Sequence, residues 1–151
     1  GCKDNLIEHN TVVQAAAAGR FAVTLWHGST GNTLRNNIVV GGARGAISYT
    51  VDALPGLVCH HNLYFSAAGW HLFEDEKAAR KRNFDQWKAL AVGEQGSAKA
   101  MPKFVDVVGG DYRLADGSAG IDQGADSGLP LAYDGGVRPQ GGGYDIGAFE
   151  R

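Results

Sequence analysis

Short apolar runs, broken by glycine, asparagine and charged positions, fill the first part of the chain. Three of them carry the same heading: "HNTVV" at 9–13, "NNIVV" at 36–40 and "HNLYF" at 61–65. With Asn10, Asn37 and Asn62 as register marks, the repeats lie 27 and 25 residues apart. A recurrence in the twenties predicts a solenoid in which each repeat is one layer. Aligned on these marks, Ile7, Leu34 and Cys59 share one column, and Val12, Val39 and Tyr64 a second. Glu8, Arg35 and His60 form a third. A strand alternates its faces, so inward apolar columns put the Glu8/Arg35/His60 column outward. A second strand per layer reads in "FAVTLW" at 21–26 and "GAISYT" at 45–50, with Val23 and Leu25 matching Ile47 and Tyr49. Glycine-rich links ("HGSTGN", "VGGARG", "ALPG") separate the pieces. Stacked layers of this kind give parallel strands about 4.8 Å apart, hence an all-β fold, a parallel β-helix. The repeated asparagine is expected at a bend, where it tolerates left-handed backbone and bonds to the layer above.

Past Phe65 the period stops. "NFDQWKALA" at 83–91 predicts a short helix capped by Asn83, with Gln86 completing a capping box. Phe84, Trp87 and Leu90 share one helix face and are expected to pack on the core. The pieces "KFVDVV", "DYRLA" and "GYDIGAFE" read as strands between turn-rich links. Since the end of a β-helix exposes strand edges that natural proteins cover, residues 66–151 are expected to close the last layer and cap that end. The chain is read as a single domain, 1–151, with repeat layers in 1–65 and a helix-containing last layer and irregular C-terminal cap in 66–151.

Composition narrows this picture. The chain has 151 residues, 44% of them hydrophobic and 20% charged, which suits a globular domain with a core. Glycine stands at 23, where an average share gives about 11. Such a content suits tight turns between strands better than helices. The net charge of −2 argues against a nucleic-acid partner. The one basic cluster, Lys77, Arg80, Lys81 and Arg82, follows Glu74, Asp75 and Glu76 and reads as a solvated loop or helix start. Two cysteines make no disulfide framework, and no Cys/His metal spacing occurs. No stretch is long and apolar enough to span a membrane, and "GCKDNLIEHN" does not read as a signal peptide.

The layers, together with "FDQWKAL", "PKFVDVVGGDYRLADGSAGIDQG" and "DGGVRPQGGGYDIGAFE", resemble the C-terminal region of right-handed parallel β-helix proteins, the pectate-lyase-like superfamily. The likeness covers nearly the whole chain. Its specific part is the tail, with the order P-x-F-x-D, Y-x-L-x-x-x-S-x-x-I-D-x-G and R-P…D-I-G-A-F-E. The resemblance implies a right-handed β-helix in a secreted or cell-surface protein that meets polysaccharide. It also implies lyase chemistry with Arg or Lys as base, often with Ca²⁺ on carboxylates, although no matching carboxylate cluster stands in the repeat. Such proteins commonly carry more layers, so it implies part of a longer protein or an unusually short relative.

The best candidate for catalysis is the outward column. Glu8 would hold Arg35 in place, Arg35 would neutralise a sugar carboxylate, and His60 would act as base. The plainer reading of the same residues is a charge ladder along the stack. Trp26, His27 and Trp70 are candidates for sugar stacking, against a packing role. Asp122, Asp134 and Asp145, with Arg138, read as turn residues and one ion pair holding the cap. Cys59 reads as a small core residue. No metal site is expected from the residues themselves. If catalytic, a lyase fits better than a hydrolase, because the column offers Arg and His rather than two carboxylates. The rival is a non-catalytic surface, adhesive or self-associating solenoid. "GCKDN" is too short to cover a layer, so the N-terminal layer is expected to pair with a second copy as a homodimer, or with upstream layers of a longer parent.

Overall fold

The computed structural model describes residues 1–14, 21–67, 69, 72–90 and 93–151. The chain is mainly β, and its first nine strands come in three sets. The first set is β1 (Leu6–Glu8), β2 (Thr11–Val13) and β3 (Phe21–Leu25). The second is β4 (Thr33–Arg35), β5 (Ile38–Gly41) and β6 (Gly45–Tyr49). The third is β7 (Val58–His60), β8 (Leu63–Ser66) and β9 (Phe73–Asp75). Each strand pairs in parallel with its counterpart in the next set, giving sheets β1-β4-β7, β2-β5-β8 and β3-β6-β9. The predicted columns are in register: Ile7, Leu34 and Cys59; Glu8, Arg35 and His60; Val12, Val39 and Tyr64. Val23 faces Ile47 and Leu25 faces Tyr49, as the pattern requires.

Alternation along each strand sorts the side chains. Leu34, Val39, Ile47, Cys59, Tyr64 and Phe73 meet in one buried cluster. Ile38, next to Val39, points the other way and joins Leu63, Leu114 and Ile146 in a second cluster. The middle sheet is therefore buried on both faces. Each aliphatic side chain so buried stabilises the fold by about 2 kcal/mol.

The asparagines form the expected ladder. Asn37 Oδ1 accepts from both the backbone N–H (3.0 Å) and Nδ2 (3.1 Å) of Asn10. Asn62 Oδ1 does the same for Asn37, at 3.0 Å each. Ser97 Oγ takes over for Asn62 N–H, at 2.9 Å. One detail differs from expectation. The left-handed residue is the one before each asparagine: His9 (φ 50°), Asn36 (55°) and His61 (51°). The bend is made there, which leaves the next side chain free to run along the stack. A second pair, Asn5 and Asn32, repeats the arrangement at 2.8 Å and shares the 27-residue spacing.

Beyond β8 the structure corrects one reading. The charged run at 74–82 is not a helix start but a hairpin, whose turn at 76–79 and whose Lys77, Arg80 and Lys81 are exposed as a solvated loop would be. β9 turns into β10 (Arg80–Arg82), which pairs with it antiparallel. Glu74 and Asp75 are buried there. Arg44 Nη2 reaches Glu74 at 2.6 Å, and Asp75 Oδ1 takes the N–H of Ala78, so neither carboxylate is stranded. β10 covers the edge of the third sheet, and β11 (Ala98–Lys99) pairs with β8 in the second.

Helix α1 (Phe84–Lys88) carries the predicted capping box between Asn83 and Gln86, with bonds of 2.9 and 3.0 Å. Its Trp87 is fully buried and stacks on Phe73, with ring centres 4.4 Å apart and planes within 3°. The tail adds a hairpin, β12 (Phe104–Asp106) and β13 (Asp111–Leu114). "GYDIGAFE" is not a strand; Tyr144 forms only an isolated bridge with Gly124. The cause is Gly147, with φ +106°. A Cβ there would stand 2.7 Å from Ile38 Cδ1 and 2.8 Å from Thr11 Oγ1, so only glycine lets the tail lie against β2 and β5.

Candidate functional site

The Glu8/Arg35/His60 column exists, but it is half-buried rather than freely exposed. Arg35 Nε donates to Glu8 Oε2 at 2.6 Å, with side chains 23% and 16% exposed. His60 stands in register with Arg35 but turns to its neighbour: His60 Nδ1 and His61 Nδ1 are 3.1 Å apart and share one proton between perpendicular rings. Burial, His61 and Arg35 together lower the pKa of His60, which keeps it neutral near pH 7. Glu8 lines the groove described below; Arg35 and His60 are not among its lining residues.

The tail brings unexpected partners to the bend between β1 and β2. Arg138, 5% exposed, donates Nη1 to His9 Nδ1 at 2.8 Å and to Glu150 Oε2 at 3.0 Å. Its Nη2 donates to Gly147 O at 2.9 Å. The ion pair holding the tail is therefore Arg138–Glu150, not a pair with one of the aspartates. Asn36 fastens the same region, accepting from Ala125 N–H and donating to Ala125 O, at 2.8 Å each. Asp145 is buried; its Oδ1 accepts from Asp122 N–H at 2.8 Å, and burial pushes its pKa up to about 6. Asp122 Oδ1 in turn caps the N–H groups of Gly142 and Gly143, the turn role expected of it.

His9 Nε2 lies 2.9 Å from Ser127 Oγ, a distance that suits a nucleophile and its base. The ring is instead held by scaffold groups on both sides: Nε2 also meets Asn36 Nδ2 at 2.9 Å, and Nδ1 meets Gly147 O at 3.3 Å as well as Arg138 Nη1. Burial first, and Arg138 second, bring the His9 pKa down to about 4. The cluster is a structural clasp.

Over this clasp lies an open groove of about 490 Å³. Glu8, His9 and Thr11 form one wall, and Leu129, Leu131, Tyr133, Phe149 and Tyr112 the other. Tyr133 is 83% exposed and meets Phe149 edge to face at 5.8 Å. Its position is fixed by the bond from Tyr133 N–H to Ala148 O, at 2.8 Å.

Of the other predicted site residues, Trp26 is half-buried with Nε1 bonded to Ser48 Oγ at 3.0 Å. His27 is exposed at a left-handed turn. Neither lines the groove. Trp70 lies outside the described residues. Among the described residues, no three His, Cys, Asp or Glu side chains converge where they could hold an ion. The Ca²⁺ implied by the resemblance thus finds no ligand set here. No helix among them is long and apolar enough to cross a membrane. Cys59 is a buried core residue. Comparison with family models, curated proteins and solved structures finds no match to this chain.

The groove was missed from sequence because its aromatic wall comes from the aperiodic tail. His9 and Arg138 are separated by 129 residues, and no pattern ties them together. The second asparagine pair was within reach, since Asn5 and Asn32 keep the repeat spacing.

Proposed function

We propose that this chain is a right-handed parallel β-helix of the pectate-lyase-like kind that binds extracellular polysaccharide in the groove beside Glu8. The β-helix reading is supported by three parallel sheets that each take one strand per repeat, in constant register. The binding reading is carried by the groove itself, which sets aromatic rings opposite a held carboxylate, a combination that suits a sugar with one apolar face and a rim of hydroxyls. A secreted or cell-surface location follows from the resemblance alone. Lyase chemistry at Arg35 and His60 has weaker support, because Glu8 occupies the Arg35 Nε and His61 the His60 Nδ1. Titration calorimetry with soluble acidic and neutral polysaccharides, followed by assay for unsaturated product with and without Ca²⁺, tests this. Saturable binding without product is expected. Binding to none of them contradicts the reading, and turnover that vanishes in Arg35→Ala restores the catalytic column.

A second reading, self-association, has its own observation. β1, β2 and β3 each stand at the outer edge of their sheets, and Leu6 there is 52% exposed. Three aligned edges without a further strand among the described residues favour pairing with a second copy as a two-fold dimer. Sedimentation at micromolar concentration decides it: a dimer supports this reading, and a clean monomer removes it.

A further inference from the structure

The groove does not end at Phe149. A second hollow of about 380 Å³ shares Tyr112 and Phe149 with it and continues to Asp111, Arg113 and Asp134. The two make one open channel, with aromatic rings along its middle and carboxylates at both ends. Glu8 stands at one end; Arg35 holds its Oε2, and no bond to Oε1 forms among the described residues. Asp111 and Asp134 stand at the other.

The cations lining this channel are already paired. Arg113 grips Asp111 through Nε at 2.9 Å and Nη2 at 2.5 Å. Arg138 is buried against Glu150. A uronate chain brings one carboxylate per sugar; Glu8 and Asp111 are neutralised by Arg35 and Arg113, so the unpaired charge it meets is that of Asp134, with no unpaired cation among the lining residues to offset it. A neutral chain meets no such opposition. Its ring faces stack on Tyr133 and Tyr112, and its hydroxyls donate to the end carboxylates as short, charge-assisted bonds.

We infer that the channel selects neutral glycans over uronates, with Tyr133 as the stacking residue and Asp134 and Glu8 as the polar ends. This rests on the polysaccharide reading above and narrows it to a charge class. Native affinity electrophoresis tests it, in gels containing galactomannan, xyloglucan, mixed-linkage β-glucan or polygalacturonate. At least one neutral polymer should retard the protein, and polygalacturonate should not. Tyr133→Ala removes a side chain outside the core, so its circular dichroism should be unchanged while affinity falls about tenfold. Retardation by polygalacturonate that Tyr133→Ala abolishes would overturn the charge class and leave the polysaccharide reading standing. Retardation by no polymer would overturn both. Retardation by a neutral polymer that Tyr133→Ala leaves intact would move the site out of this channel.

Discussion

Asn37 and Arg138 are both buried polar residues, 2% and 5% exposed, held by polar contacts of opposite kinds; among the described residues Arg138 Nε finds no hydrogen-bond partner. Asn37 belongs to the repeating half, where each amide meets an identical amide 25 or 27 residues away. Arg138 belongs to the tail, where every partner is different: His9, Glu150 and two backbone carbonyls. Repetition solves the problem of buried polar groups once and reuses the solution. The tail solves it once only, with a charge pair, and so places irregular backbone and exposed aromatic rings over the first bend. The groove exists because of that second solution.

The largest way to break the comparison is Arg138→Ala. It leaves Glu150, 8% exposed, without its counter-charge. The expected loss is about 3–5 kcal/mol in denaturant unfolding, the range for stripping one partner from a buried pair. A loss under about 1 kcal/mol, the range for exposed pairs, would mean the clasp carries little weight. Asn37→Ala comes next, at about 1–3 kcal/mol, because the Asn10 N–H and Nδ2 lose their acceptor. An effect near zero would show that strand pairing alone holds the stack.

Arg35→Ala is expected to cost less than about 1 kcal/mol in stability, since its pair with Glu8 is partly solvated. A larger loss would make the column part of the scaffold rather than a surface ladder.

The smallest expected effect is that of acid on the wild type, because two groups oppose each other. The His9 ring takes its proton only near pH 4 when folded but near 6.5 when unfolded. Acidification across that window favours the unfolded chain and removes stability. Asp145 runs the other way: its carboxyl protonates near pH 6 when folded and near 3.8 when unfolded, so acidification adds stability. Each contribution is on the order of 3 kcal/mol. Their sum is a shallow profile, measured as denaturant midpoints between pH 4 and 7. His9→Gln should gain stability with falling pH and Asp145→Asn should lose it. Parallel profiles for the two variants would contradict the opposition.

Much of the first half was legible from residues alone. The columns headed by Ile7, Glu8 and Val12 follow from period and alternation, both of which are local rules. The capping box at Asn83 and Gln86 is also local. Failures came where long-range contacts overrode local signals. The run from Glu74 to Arg82 has the charge of a solvated loop, yet Arg44, from the previous strand set, satisfies Glu74 and lets it sit in a strand. "GYDIGAFE" alternates like a strand, yet Gly147 bends it onto Ile38 and Thr11. Tyr133 and Glu8 share a groove because the tail is laid against the first bend, by Arg138 on His9 and by the bonds of Ala125, Gly147 and Ala148. The Arg138–His9 contact has no signature in spacing, since arginine and histidine are common and nothing marks one pair among many.

Hydrogen exchange on the wild type and Arg138→Ala tests most directly whether the tail is a separately clasped unit over a self-supporting repeat. The amides of Ala125, Gly147 and Ala148 bond across the clasp, to Asn36 Oδ1, Asn36 O and Thr11 Oγ1. Those of Asn37, Ile38 and Leu63 bond within the repeat. In Arg138→Ala the first set should lose protection well before the second. Equal loss in both sets would contradict the division, and with it the origin of the groove.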